Sequence, residues 1–195
     1  MISLPKAPRG KTDLAYVSNS SQRQPAFGGP TKLINRLGDR FAYKVTIKGR
    51  AVQVAPLVAK LNAGRSDKVR MPVNQPVEYA DVPGPVTVRT AVSGGHGLNL
   101  TGLPAGHVMK GGQMVSVTAV NGVSYLHQII DDVTADASGR VSLIVAPMVR
   151  SQLNVGDPVN VNAPIIEGYL AGSVTEWTAD FLNLIEVGFQ ILEAE

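Results

Sequence analysis

Between Val86 and Val161 the chain is interrupted at short intervals by Gly94-Gly95, Pro104-Ala105-Gly106, Gly111-Gly112, Asn121-Gly122 and Ser138-Gly139. Strands of about five or six residues fit between such breaks and ordinary helices do not. The runs that alternate apolar and polar residues are Val86–Ser93, Gly97–Thr101, Met114–Val120, Val123–Ile130, Val141–Val145 and Pro158–Val161. Asn121-Gly122 lies between two of these runs and predicts a tight hairpin, because both residues tolerate the positive φ that such a turn needs. A strand every ~8–12 residues predicts a small barrel or sandwich.

The flanks differ. Phe41, Tyr43, Val45 and Ile47 share one face of a predicted strand, with Ala42, Lys44 and Thr46 on the other. Val54, Leu57, Val58 and Leu61 fall at helical spacing, which predicts a helix over Val54–Ala63 with Pro56 in its first turn and Gly64 as its stop. Val69–Pro72 is a short strand candidate, and Ile165–Ala171 and Phe181–Leu192 supply the last strands. Leu182, Leu184 and Glu186 do not alternate cleanly with Asn183, Ile185 and Val187, so that strand is expected to be covered on both faces. Residues 1–35 carry Pro5, Pro8, Pro25 and Pro30 without periodicity. Their anchors Leu14, Tyr16, Val17 and Phe27 suggest an extended arm laid on a neighbouring subunit, since a solvated tail needs none. The fold class is therefore mainly β. A β-sandwich with one packed α-helix is expected from 36–85 and 163–195, with a second small β-barrel inserted at 86–162 and the arm at 1–35.

The 195 residues are enough to bury a core without staples. The absence of cysteine excludes disulfides, a thiolate nucleophile and a cysteine metal site. A net charge of +3 is spread along the chain without a basic run, so binding of nucleic acid through a basic patch is not expected. No apolar run approaches the ~20 residues of a membrane helix, and MISLPKAPRGK lacks the apolar stretch of a signal peptide. Charged residues make up 17% of the chain, which suits a surface partly covered by other subunits.

Motifs for chemistry are sparse. Gly95-His96-Gly97 does not make a dinucleotide loop, because Leu100 stands where the third glycine belongs and no helix is predicted to follow. His96, His107 and His127 lie on separate elements without the pairing of a helix-borne zinc site. No G-x-S-x-G elbow is present. The acidic group Asp131, Asp132 and Asp136 invites a calcium reading. Counted from Asp132, however, Ala137 replaces the loop glycine and Leu143 the bidentate glutamate. A type I turn over Asp136-Ala-Ser-Gly139 fits better, with the carboxylate accepting a backbone N–H two residues on. Leu126–Ile130 and Val141–Val145 would then be the arms of a hairpin. As a hydrolase, the chain would have to rely on these aspartates with His127. No catalytic residue, cofactor or metal is expected.

Several segments together resemble a known family. These are Gly38-Asp39-Arg40-Phe41 opening a strand, the Ala- and Leu-rich helix after it, DVTADASGRVSLIVAPMVR from Asp132 to Arg150, and Val155-Gly156-Asp157-Pro158-Val159 leading to Pro164. The pattern is similar to the distal tail protein of long-tailed siphophages, over roughly residues 15–195, although Phe41 stands where the family usually has Trp. The resemblance implies a structural virion protein at the phage tail tip. It would form a homo-oligomeric ring, hexameric in most of the family, joining the tail tube protein to the tip hub and central fibre. DNA would pass the lumen without specific binding, and no membrane insertion is implied. The signature residues would be Asp131, Asp132, Asp136, Gly139, Pro147, Arg150, Gly156 and Asp157, with Gly38–Phe41 opening the first strand. Arg150 would meet Asp131 or Asp132 in a buried or interfacial salt bridge, or else be solvated. The alternative is a carbohydrate- or receptor-binding β module of a tail or baseplate. It would want exposed aromatics, and the barrel region holds only Tyr125, with Trp177 beyond it.

Overall fold

Alternation along Arg40–Arg50 builds a long interior strand of the large sheet, one place in from its edge. Phe41, Tyr43, Val45 and Ile47 are all at most 3% exposed, whereas Lys44 and Lys48 face solvent. The computed structural model describes all residues except 7–9, 25–27, 31, 35–37, 173–175, 180–183 and 195. The anchor Phe27 and the first residues of the expected last strand lie outside the described residues.

The N-terminal part supplies β1 (Ile2–Ser3), β2 (Gly10–Val17), β3 (Ser21–Arg23), β4 (Lys32–Ile34) and β5 (Arg40–Arg50). Helix α1 (Ala51–Ala63) and a short 3₁₀ turn lead into β6 (Val69–Pro72). The middle supplies β7 (Val86–Val88), β8 (Gly95–Thr101), β9 (Val108–Met109), β10 (Met114–Thr118) and β11 (Ser124–Ile129). It continues with β12 (Val133–Thr134), β13 (Arg140–Val149) and β14 (Pro158–Asn160). The chain closes with β15 (Ile165–Leu170), β16 (Glu176–Ala179) and β17 (Leu184–Glu193).

The protein is mainly β, with one α-helix among the described residues and a closed barrel. Six strands close the barrel in the order β10-β11-β13-β8-β7-β14, and a seven-stranded sheet runs β1-β6-β15-β17-β5-β2 with β16 also on β17. One face of this sheet carries both neighbouring layers. Val54, Leu57, Val58 and Leu61 of α1 join its core, and so do Met114 and Leu126, which point outward from the barrel. The barrel has its own core, built around Val88, Leu98, Leu100, Val117, Leu143 and Val145.

Several expectations are corrected. The lead does not lie wholly on a neighbour: β2 pairs along β5 from Gly10↔Ile47 to Val17↔Arg40, and β1 pairs in parallel with β6. Its anchors Leu14 and Tyr16 complete the chain's own sheet. Helix α1 begins at Ala51, three residues before Val54, so Pro56 sits inside it. The bond that Pro56 cannot make belongs to Val52, which is 88% exposed, so the gap lies on the solvent side where water can serve the carbonyl. Gly64 follows the helix at φ −73°, an ordinary helical value. Glycine is required there because a Cβ would stand 2.4 Å from a Val69 methyl. Strand β17 is not covered evenly on both faces: Val187, Phe189, Ile191 and Glu193 are buried while Glu186 and Gly188 are exposed. The pairing expected of β11 and β13 is short, with Gln128↔Ala146 and Ile129↔Val145 as its pairs: β11 ends at Ile129, and the chain then forms β12, which pairs with β9, before β13 begins.

Leu61 is fully buried beneath α1. Leu61→Ala is expected to cost about 2–5 kcal/mol in urea unfolding, and Val52→Ala on the outer face less than about 0.5 kcal/mol.

Candidate functional site

Glu193 ends β17 at the same parity as Val187, Phe189 and Ile191, and so points a carboxylate into the core face. Its Oε1 accepts the Leu126 N–H at 2.7 Å, and its Oε2 accepts the Phe41 N–H at 3.0 Å. Oε2 also pairs with Arg150 Nη2 at 2.8 Å, with the two side chains 8% and 0% exposed. Arg150 donates through Nη1 to the Asp39 carbonyl and through Nη2 to the Ala194 carbonyl. Its guanidinium carbon lies 5.3 Å from the centre of the Tyr125 ring, within cation–π range. Burial pushes the Glu193 carboxyl up, and Arg150 and the two N–H donors oppose that without cancelling it. Arg150 leaves the end of β13, Leu126 and Tyr125 belong to β11, Phe41 to β5 and Glu193 to β17. The cluster therefore joins barrel to sheet.

Asp39 extends the cluster outward. Its Oδ1 accepts the Asn19 N–H at 2.6 Å and its Oδ2 the Tyr16 hydroxyl at 2.7 Å. Burial pushes the Asp39 carboxyl up, but the Tyr16 hydroxyl and the Asn19 N–H outweigh it and hold the group below its ordinary value. Tyr16 in turn meets Phe41 edge to face at 5.8 Å. Gly38 forms the turn into β5, and Arg40 is that strand's first residue.

The aspartates of the middle segment are separate from this cluster. Asp132 accepts the Gly111 N–H at 2.7 Å and pairs with Lys110 at 3.1 Å; these hold its carboxyl below the usual range. Asp131 is exposed. The salt bridge of Arg150 with Asp131 or Asp132 is corrected to one with Glu193. Ile130 donates to the Ile144 carbonyl, so Asp131 sits beside a point six residues, or roughly 20 Å, before Arg150 along the strand. Asp136 caps its own turn: Oδ1 accepts the N–H groups of Ser138 at 2.8 Å and Arg140 at 2.9 Å, which hold its carboxyl down, the Arg140 bond foremost. Gly139 has φ 69°, and a Cβ there would stand 2.0 Å from the Leu103 carbonyl oxygen, so this turn requires glycine twice over. Gly156 and Asp157 tie β14 to β7. Gly156 N–H donates to the Val88 carbonyl, the Asp157 carbonyl accepts from Val88, and the Asp157 side chain accepts the Asn154 N–H. Pro147 does not end β13: the cis Ala146-Pro147 bond lies within it, and the strand runs on to Val149. Among the described residues no group of three or more His, Asp or Glu is placed to hold a metal.

His127 is buried at the same joint, with Nδ1 bonded to the Pro147 carbonyl at 2.9 Å. Since that carbonyl can only accept, Nδ1 carries the proton. Burial lowers the His127 pKa to about 4, and the nearby Arg150 acts in the same direction. Sequence reasoning missed Glu193, Tyr125 and His127 as members of one cluster. A signal was present in FQILEA, where a glutamate holds a core parity that apolar residues fill elsewhere on the strand. No protein-family model and no curated protein matches the chain.

Arg150→Ala leaves the Glu193 carboxylate buried without its cation, and is expected to cost about 3–5 kcal/mol in chemical unfolding. Arg150→Met with Glu193→Leu together removes the lone buried charge but leaves the Leu126 and Phe41 N–H groups without an acceptor, so it should recover only part of that loss. For His127, the unfolded chain takes a proton near 6.5 and the folded chain only near 4. Its contribution to stability is therefore complete above pH 6.5 and falls away as the pH drops towards 4, by on the order of 3 kcal/mol. Urea midpoints measured from pH 7.5 to 4.5 should fall more steeply in the wild type than in His127→Asn, which keeps a donor and does not titrate.

Proposed function

We propose that the chain is a structural subunit of a bacteriophage virion, forming a ring at the distal end of a long tail. The observation that supports this reading is the convergence of the most specific segment of the resemblance, Asp131–Arg150, with its strand-opening segment. Gly38–Phe41 and the end of Asp131–Arg150 come together through Glu193 to build a buried joint between sheet and barrel. The Glu193 carboxylate and both Nη atoms of Arg150 are used to hold two β units in one orientation, which suits a subunit of a rigid ring. Heterologous contacts between identical subunits close into a ring when the rotation closes. In this reading six copies link the tail tube protein to the hub and central fibre, and DNA passes through the lumen without sequence recognition.

A carbohydrate-binding barrel fits less well. Tyr125 is the barrel's one aromatic residue, and it lies 5% exposed against Arg150, so it offers no stacking platform.

Native mass spectrometry of the purified chain and electron microscopy of assembled particles test the proposal. A closed six-fold ring at the tail tip is expected. A chain located elsewhere in the particle, or missing from it, overturns the reading.

A further inference from the structure

Strand β2 is an edge. Among the described residues its eight positions pair with β5 alone, and the register runs without a bulge from Gly10 to Val17. Natural proteins shield such edges with proline, with bulges, with charged side chains on the edge or pointing inward, or by keeping them short. Among the described residues β2 carries only one of these devices: the strand reads GKTDLAYV, and its charges Lys11 and Asp13 lie on the face away from the core, 3.6 Å from each other, where each offsets the other and neither blocks the core-side half of the edge. An eight-residue edge of this kind, about 27 Å long, is a template for another strand.

The core face of the same edge is unfilled. Thr12, Leu14 and Tyr16 stand opposite Val45, Tyr43 and Phe41, yet Thr12 and Leu14 are only half-buried and Tyr16 is 47% exposed. They form one lip of a cavity of about 390 Å³ whose far wall includes Asn74, Gln75 and Gln128. That wall is fixed. Gln75 accepts the Met114 N–H at 2.9 Å and donates to the Met114 and Val161 carbonyls at 2.8 and 3.0 Å, which pins the linker to the barrel. Tyr16 is fixed as well, by Asp39 and Phe41. A strand added to β2 would place every second side chain over this cavity and the others beside Lys11 and Asp13.

We infer that β2 and this cavity form an acceptor for an extended segment of a partner protein. The segment pairs its backbone with the β2 edge, sets apolar side chains at alternate positions into the cavity, and carries mixed charge on its outer face to meet Lys11 and Asp13. Backbone hydrogen bonds supply affinity in this mode, and the pocket for alternate side chains supplies selectivity. The inference stands on the edge and the cavity, and is independent of whether the chain forms a ring.

The probe is a terminally blocked peptide with the sequence of Arg40–Ile47, RFAYKVTI, which already pairs with β2 from its other side. A permuted peptide, FYVIRKTA, keeps the composition and loses the alternation. Fluorescence anisotropy with the full chain should show saturable one-to-one binding of the first peptide and at least ten-fold weaker binding of the second. Leu14→Lys places a charge on the lip and should weaken binding at least ten-fold. Thr12→Lys, a milder change on the same lip, should act in the same direction, and thermal unfolding establishes that each variant is folded. Absence of saturable binding up to about 1 mM overturns the inference, as does equal binding of both peptides or unchanged binding to both folded variants. If Leu14→Lys and Thr12→Lys abolish self-assembly of the chain, the edge belongs to a second copy. That result overturns the partner assignment and leaves the ring reading standing.

Discussion

A buried ion pair fixes the relation between the two halves of this protein. Removing a carboxylate and a guanidinium from water costs several kcal/mol each, and their attraction offsets this only when the remaining hydrogen-bonding capacity is also used. Here it largely is. Glu193 receives two backbone N–H groups besides Arg150, and Arg150 reaches two carbonyls and the face of Tyr125. The gain over an apolar contact is direction. Met114 and Leu126 would bury their side chains against the sheet at many rotations of the barrel, whereas Glu193 is satisfied at one.

The same requirement explains why the joint draws on residues so far apart in sequence. Phe41 offers its N–H to Glu193 because β5 ends its pairing with β17 at Ala42↔Leu192, which frees the next amide for a side chain. Leu126 offers its N–H because β11 pairs with β13 only near Gln128 and Ile129, leaving the amides before them available on that side. Each donor is a backbone group that the ladders leave over. The carboxylate therefore completes hydrogen bonding that a buried barrel–sheet contact would otherwise leave unsatisfied.

The elements legible in the sequence are those decided by neighbours along the chain. The period of two from Phe41 to Ile47, the helical spacing of Val54, Leu57, Val58 and Leu61, and the turn at Asn121-Gly122 each need only a few consecutive residues. What stayed hidden depends on distant partners. Nothing in GKTDLAYV says that it will lie along a strand some thirty residues later, because the alternation of Thr12, Leu14 and Tyr16 against Lys11 and Asp13 marks a strand without naming its partner. Strand β13 reads as a hairpin partner of β11, and only closure of the barrel sets β8 along its other edge. The role of Glu193 depends on a cation 43 residues upstream that reaches it only after two units have docked.

The edge strand and the joint are not independent parts. Asp39 gives its carbonyl to Arg150 and its carboxylate to Tyr16 and Asn19, so one residue holds both the barrel's arginine and the end of β2. Tyr16 rests on Phe41, whose amide is bound by Glu193. The outer rim of the sheet is thus two contacts from the buried pair by either route. A strand docked on β2 would press on Tyr16 and meet a surface whose position is already set by the barrel's orientation, with no flexible side chain intervening. Fixed geometry of this kind lowers the entropy lost on association, and it gives the buried ion pair a role at the surface it never touches.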